Sequence, residues 1–94
     1  MKATWNDVVL ADSQDTVVVE GNHYFPMESL DRQFFNNSNK QTTCHWKGVA
    51  HYYDLAVNGS TNEAAAWFYP SPKTEASHIT NRVAFWKGVK VTND

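Results

Sequence analysis

The chain contains one cysteine, Cys44, followed directly by His45 and, two positions later, by Lys47. A thiol beside an imidazole and an ammonium is the raw material of a nucleophilic site, provided that a neighbouring cation lowers its pKa and leaves it partly exposed. The surrounding residues read as a strand, and Thr42 to Val57 is the longest strand candidate in the chain. Successive side chains on a strand point to opposite faces. Cys44, Trp46, Gly48, Ala50, Tyr52 and Asp54 would share one face, and His45, Lys47, Val49, His51, Tyr53 and Leu55 the other. That split separates Cys44 from the base beside it, and a buried, unreactive thiol is the expected outcome. His45 and His51 would lie roughly 20 Å apart along such a strand, too far to share a metal. A single cysteine also excludes a cysteine-rich zinc site and an internal disulfide. Neither a metal nor a cofactor is expected.

Other residues offer binding rather than bond-making chemistry. The small residues beside Trp46 leave room for a second flat group, either a core side chain such as Trp67 or a planar ligand. Glu20, Asp54, Glu63 and Glu75 show no spacing typical of a paired-carboxylate site. Glu20, at the end of an apolar run, is expected to pair with Arg32 or Arg82. Arg82 has the donor fork to clamp a carboxylate or phosphate. Gly48, Gly59 and Gly88 do not form a phosphate-binding loop. Tyr69-Pro70-Ser71-Pro72 reads as a stiff aromatic corner, suited to walling a pocket or to a plain turn.

The elements that must position these residues are mostly strands. Val8 to Ala11 and Thr16 to Glu20 flank a polar turn and read as a hairpin. Gly21-Asn22 breaks the second run, and His23 to Phe25 resumes it. Pro26 suits a helix start, and Met27, Leu30 and Phe34 would form the apolar face of a short helix. Asn36 to Lys40 reads as an exposed loop. Asn58-Gly59 predicts a type I′ turn joining the long strand to a partner over Ala64 to Tyr69, with Ser60 to Glu63 lengthening the loop. Lys73 to Ile79 is a second short helix. Val83 to Trp86 and Val89 to Val91 are two short strands around Lys87-Gly88. The expected fold is mainly β, a β-rich α+β domain of about six to seven short antiparallel strands in a barrel-like or two-layer sheet, with one or two short helices.

Composition bounds the rest. Ninety-four residues fit one domain, and aromatic residues make up 14% of the chain, enough to build a core without disulfides or metal. The formal net charge is −2 with no run of either sign, which argues against nucleic acid as a partner. Nothing approaches the ~20 apolar residues of a membrane span. The first residues, Met1 to Asp7, lack a signal-peptide core, so a cytoplasmic location is expected.

Four ordered blocks carry a family resemblance. They are Val18-Val19-Glu20-Gly21-Asn22-His23-Tyr24-Phe25-Pro26, Thr43-Cys44-His45-Trp46-Lys47-Gly48-Val49-Ala50, Ala66-Trp67-Phe68-Tyr69-Pro70-Ser71-Pro72 and Arg82-Val83-Ala84-Phe85-Trp86. Together they resemble the family of domain of unknown function 427, with His45 standing where that family commonly has proline. The resemblance implies a compact, mainly β bacterial domain, and the family's label suggests nucleotide transfer. Gly59-Ser60 is not followed by the Asp-x-Asp that such transfer would use to hold Mg²⁺. Mapped onto the blocks, Glu20, Tyr24, Cys44, Trp46, Lys47, Gly48, Trp67, Tyr69 and Arg82 are expected to line any shared site. Tyr24, Trp46, Lys47, Trp67, Tyr69 and Arg82 would bind ligand, and Glu20, Cys44 and Lys47 are the catalytic candidates. Three functions follow in order of expectation: binding of a small planar or anionic molecule, a small enzyme that transfers nucleotides or uses Cys44, and a non-catalytic interaction domain or homodimer.

Overall fold

In the computed structural model, which describes residues 1–93, nine strands follow one another: β1 (Lys2–Trp5), β2 (Val8–Asp12), β3 (Val17–Val19), β4 (Asn22–Pro26), β5 (Phe35–Cys44), β6 (Gly48–Val57), β7 (Ser60–Phe68), β8 (Arg82–Phe85) and β9 (Lys90–Thr92). They form a three-stranded sheet in the order β2-β1-β9 and a six-stranded sheet in the order β3-β4-β8-β7-β6-β5. Every strand pair is antiparallel, and the larger sheet stays open rather than closing into a barrel. The mainly β, two-layer architecture agrees with the sequence. The helical segments are all 3₁₀: Thr74–Ile79 lies where the second short helix is expected, whereas the first is replaced by the short turns Met27–Ser29 and Arg32–Phe34. Among the described residues no helix is long and apolar enough to cross a membrane.

Local chemistry explains where the strands differ from expectation. Val8 to Ala11 does not pair with Val17 to Val19. A strand missed in the sequence, Lys2–Trp5, takes that place through the two-residue turn Asn6-Asp7, with φ of 52° and 63°. Such a turn matches the natural twist of a hairpin and closes a shorter loop. β3 pairs instead with β4 across Glu20-Gly21, a second two-residue turn with positive φ at both residues. The helix expected after Pro26 loses to strand pairing. Leu30 is extended and bridges Ala11, and the Asp31 N–H donates to the Leu10 carbonyl at 2.8 Å.

Asn36 to Lys40 lies within a strand rather than a loop: Asn36 and Asn37 pair with β6, Ser38 to Lys40 bulge out, pairing resumes at Gln41, and most side chains of this edge strand meet water. The long strand from Thr42 to Val57 is two strands. They meet at the turn His45-Trp46-Lys47, between the paired residues Cys44 and Gly48. The Asn58-Gly59 turn is where the sequence places it, but Ser60 to Glu63 belongs to β7 and does not lengthen the loop. β8 and β9 flank Lys87-Gly88 as expected, yet they join different sheets.

The three-stranded sheet packs on one face of the six-stranded one. Ala3, Leu10 and Ala11 meet Phe25, Leu55, Val57, Val83 and Phe85 in the main core. Side chains such as Leu10, Phe25 and Leu55 are fully buried, each contributing about 1.5–3 kcal/mol of transfer free energy. Edge-to-face contacts join Phe25 to Phe85 at 5.6 Å, Phe85 to Phe35 at 6.1 Å and Phe35 to Tyr53 at 5.5 Å. The opposite face of the large sheet carries a second cluster around Tyr24, Ala50, Tyr52, Tyr69 and Ala84. Ala76 and Ile79 of the last 3₁₀ segment also belong to this second cluster.

Candidate functional site

Strand register assembles the second face. Tyr52 on β6 pairs with Trp67 on β7, and Trp67 with Ala84 on β8. The β4–β8 register, with Phe25 opposite Val83, brings Tyr24 alongside Ala84. The Trp67 indole donates to the Tyr24 hydroxyl at 3.1 Å, and the two rings meet edge to face at 6.3 Å. On its other side Trp67 meets Trp86 edge to face at 6.0 Å. A cavity of about 180 Å³ lies on this face, lined by Lys47, Tyr52, Trp67, Tyr69 and Trp86. Lys47 is buried and Trp86 exposed, so the cavity runs from an inner to an outer end.

The turn after Cys44 delivers Lys47 to the inner end. Gly48 makes this turn with φ of +109°, a backbone conformation that L side chains rarely adopt. The Lys73 N–H donates to the Lys47 carbonyl at 2.9 Å, which clasps the turn against the Pro70–Pro72 corner. The Lys47 ammonium then lies 5.4 Å from the Trp46 ring centre and 5.8 Å from that of Tyr69, the geometry of a cation–π contact. The face split of one continuous strand therefore does not hold. A turn replaces the alternation at 45 to 47, and Lys47 comes to the same side as Trp46.

The partner of Lys47 is Glu20, not an arginine. Glu20 sits in the β3–β4 turn at φ of 54°, a backbone region uncommon for a residue other than glycine. This pair sets the electrostatics of the inner end. The hydrogen bond from Lys47 is the main reason the Glu20 carboxyl is held below its usual range; burial opposes it, and the Lys47 charge and the Trp46 indole add to it. For Lys47, burial alone would pull the ammonium pKa down. The hydrogen bond to Glu20 and the fields of Tyr24, Tyr69 and Cys44 outweigh burial, and the net shift is upward. Lys47 is thus a fixed positive charge at neutral pH rather than a nucleophilic amine. Burial pushes the Tyr69 phenol up to about 12, with Lys47 opposing, and raises Tyr24 as well.

Among the residues singled out in the sequence, Lys47, Trp67 and Tyr69 line the cavity. Tyr24 supports it through Trp67, and Trp46 and half-buried Cys44 pack against the second cluster beside it. Glu20 reaches the site through Lys47. Arg82 is engaged elsewhere: it donates to the Asp15 carbonyl at 2.7 Å and lies 3.4 Å from the Asp15 carboxylate. Arg32 stands 5.7 Å from the Tyr53 ring on the opposite face. Two lining residues, Tyr52 and Trp86, were not among the sequence candidates. Both have signals there: Tyr52 shares the Trp46 face, and Trp86 closes the fourth block. The Gly59-Ser60 dipeptide belongs to the β6–β7 hairpin turn, and the acids that follow it, Glu63 and Glu75, fall on different elements.

The family model described as Domain of unknown function (DUF427) matches residues 1–94, and the chain belongs to that family. No curated protein matches it.

Proposed function

We propose that this DUF427 domain binds a small flat ligand in the cavity between Tyr52, Trp67, Tyr69 and Trp86. The observation that carries this reading is the convergence of four aromatic rings and a buried ammonium on one recess of about 180 Å³. A cavity of roughly 150 Å³ accepts a single benzene ring, so one small ring system fits. The edge-to-face contacts fix the angles of Tyr24, Trp67 and Trp86, so the recess is walled by rings held in place. Lys47 gives the inner end a preference for electron-rich or negatively charged edges. Its charge is held in place by Glu20, which favours binding over covalent chemistry.

The reading predicts that small planar probes shift the indole N–H resonances of Trp67 and Trp86 in a titration of ¹⁵N-labelled protein. Trp5 lies on the other sheet and should not respond. Trp86 is 42% exposed, so Trp86→Ala should fold and weaken binding. Indole signals of Trp67 and Trp86 that stay fixed across a panel of neutral, anionic and cationic planar probes would remove this function.

A further inference from the structure

Both neighbours of β6 leave regular pairing at the same level. On β5, pairing passes from Asn37 opposite Tyr53 to Gln41 opposite His51, so Ser38, Asn39 and Lys40 face Tyr52 alone. On β7, it passes from Ala66 opposite Tyr53 to Asn62 opposite Leu55, so Glu63, Ala64 and Ala65 face Asp54 alone. Each is a bulge in which three residues oppose one, and bulges commonly re-aim side chains beside binding sites. Both are pinned by specific bonds. The Ser38 hydroxyl accepts from the Lys40 N–H at 3.1 Å, and the Asp54 carboxylate accepts from the Ala64 N–H at 2.8 Å. Ala64 itself takes a φ of 53°.

The bulges deliver two ammonium groups to one place. Lys40 lies 5.2 Å from the Tyr52 ring centre and 5.7 Å from that of Trp86. Lys87 lies 5.3 Å from the Trp86 ring centre and donates to the Glu63 carbonyl at 2.9 Å. The Trp86 indole is fixed in turn by a 2.6 Å bond to the Ala64 carbonyl. Neither lysine forms an ion pair among the described residues, whereas Lys47 is paired with Glu20. A polar cavity of about 470 Å³ is lined by Ser38, Lys40, Asp54, Glu63 and Lys87 among others. Lys40, which lines this cavity, lies over the rings of Tyr52 and Trp86, which line the aromatic one.

We infer that the two cavities are halves of one site, and that the ligand is an aromatic ring carrying an anionic group on a short linker, with the anion held by Lys40 and Lys87. This inference rests on the aromatic-cavity reading and deepens it. The unpaired positive charge lies at the outer end, so the anion faces outward and the ring inward. Asp54 and Glu63 bound the same cavity. The Asp54 carboxylate is turned toward the Ala64 N–H, and neither acid forms an ion pair with Lys40 or Lys87 among the described residues, so the two ammonium groups stay available to an anion and disfavour a cationic linker end.

The test uses three probes with one ring: indole, indole-3-propionate and tryptamine. Their affinities are read by calorimetry and by the Trp67 and Trp86 resonances of labelled protein. Indole-3-propionate should bind about tenfold tighter than indole, as expected for one charge-assisted contact. Tryptamine should bind no tighter than indole. Lys40→Gln and Lys87→Gln, both at exposed positions, should each erase most of that advantage and leave indole binding intact. Lys90→Gln, an exposed lysine outside both cavities, should change nothing. If indole binds but the propionate has no advantage, or keeps it in both lysine variants, the two-part site is overturned while the aromatic cavity stands. If no probe moves Trp67 or Trp86, both fall.

Discussion

Replacing Gly48 by alanine should destabilise the domain through its backbone alone. A Cβ built at this position would lie 3.5 Å from the Lys73 nitrogen, 3.5 Å from the Pro72 Cα and 3.6 Å from the Ser71 carbonyl oxygen. These are ordinary van der Waals contacts, so no steric clash contributes. The cost is the φ of +109°, well beyond the left-handed well near about +57° that other residues occasionally occupy. Holding a non-glycine residue in such a region costs about 1–3 kcal/mol. For a domain of this size each kcal/mol shifts Tm by about 4–8 °C, which gives a fall of about 5–20 °C. Gly59→Ala is the internal reference. Its φ is +81° and nothing lies within 4 Å of the added methyl, so its cost should stay near about 1 kcal/mol. Thermal and urea unfolding of both variants measures the difference. Because Gly48 follows Lys47 directly, relief of the strain should also move the Trp46 resonance and loosen the Lys47 contacts. A Gly48→Ala protein no less stable than Gly59→Ala would refute the argument that this turn depends on glycine.

Four further outcomes follow from the same geometry. Lys47→Met removes a buried charge together with its desolvation cost and leaves Glu20, half-exposed, free to rehydrate; urea unfolding should show a change within about 1 kcal/mol. Glu20→Gln should destabilise more than Lys47→Met, because it leaves the buried ammonium without its carboxylate, and the reverse order would show that the ion pair is not the governing interaction. Tyr69 has its pKa raised to about 12 from an ordinary value of 10.0, so its stabilising share is full below pH 10 and is lost as pH climbs toward 12. Its two-unit rise corresponds to about 2–3 kcal/mol at most, and Lys47, also shifted upward, adds to the same alkaline loss. Urea midpoints measured from pH 8 to 11.5 should fall less steeply in Tyr69→Phe. Arg82→Ala should leave probe binding at Trp67 and Trp86 unchanged, since the guanidinium holds Asp15 rather than the cavity.

The sequence carried the fold class because the apolar runs and the Asn58-Gly59 turn are local signals. Three residues singled out in it, Lys47, Trp67 and Tyr69, line the aromatic cavity. What it hid depends on long-range pairing. β1 carries a weak apolar pattern, and only its register with β2 and β9 makes Lys2–Trp5 a strand. The helical spacing of Met27, Leu30 and Phe34 is real but yields to the backbone bonds that tie Leu30 and Asp31 to β2. β5 could not be read from Asn36 to Lys40 because an edge strand with mostly solvated side chains need not alternate. The partner of Glu20 was equally invisible. Its contact with Lys47 joins two hairpin turns 27 residues apart, and charge alone favoured either arginine equally well.

The aromatic residues themselves separate the two faces of the large sheet more clearly than any single motif. Adjacent pairs divide between them: Tyr24 and Phe25, Tyr52 and Tyr53, Trp67 and Phe68, Phe85 and Trp86. Phe25, Tyr53, Phe68 and Phe85 belong to the main core, whereas Tyr24, Tyr52, Trp67 and Trp86 belong to the cavity face. The phenylalanines need only a dry environment. Tyrosine and tryptophan carry a polar group that must find a partner when buried, and they suit a surface that is apolar in body and polar at its edges. On the cavity face those partners are present: Trp67 to Tyr24, Tyr52 to Thr42 at 2.9 Å and Trp86 to the Ala64 carbonyl. Tyr53, turned to the main core, points its hydroxyl at the Met27 sulfur at 3.7 Å, a weak acceptor. On a face built only for burial such bonds add about 0.5–1.5 kcal/mol each to stability. A face that must keep its rings rigid while a guest comes and goes gains further from them, because rings already fixed lose little further freedom on binding. On the proposed binding function, the phenylalanine to tyrosine or tryptophan alternation separates a face that serves stability from a face that serves recognition on consecutive residues of the same strands.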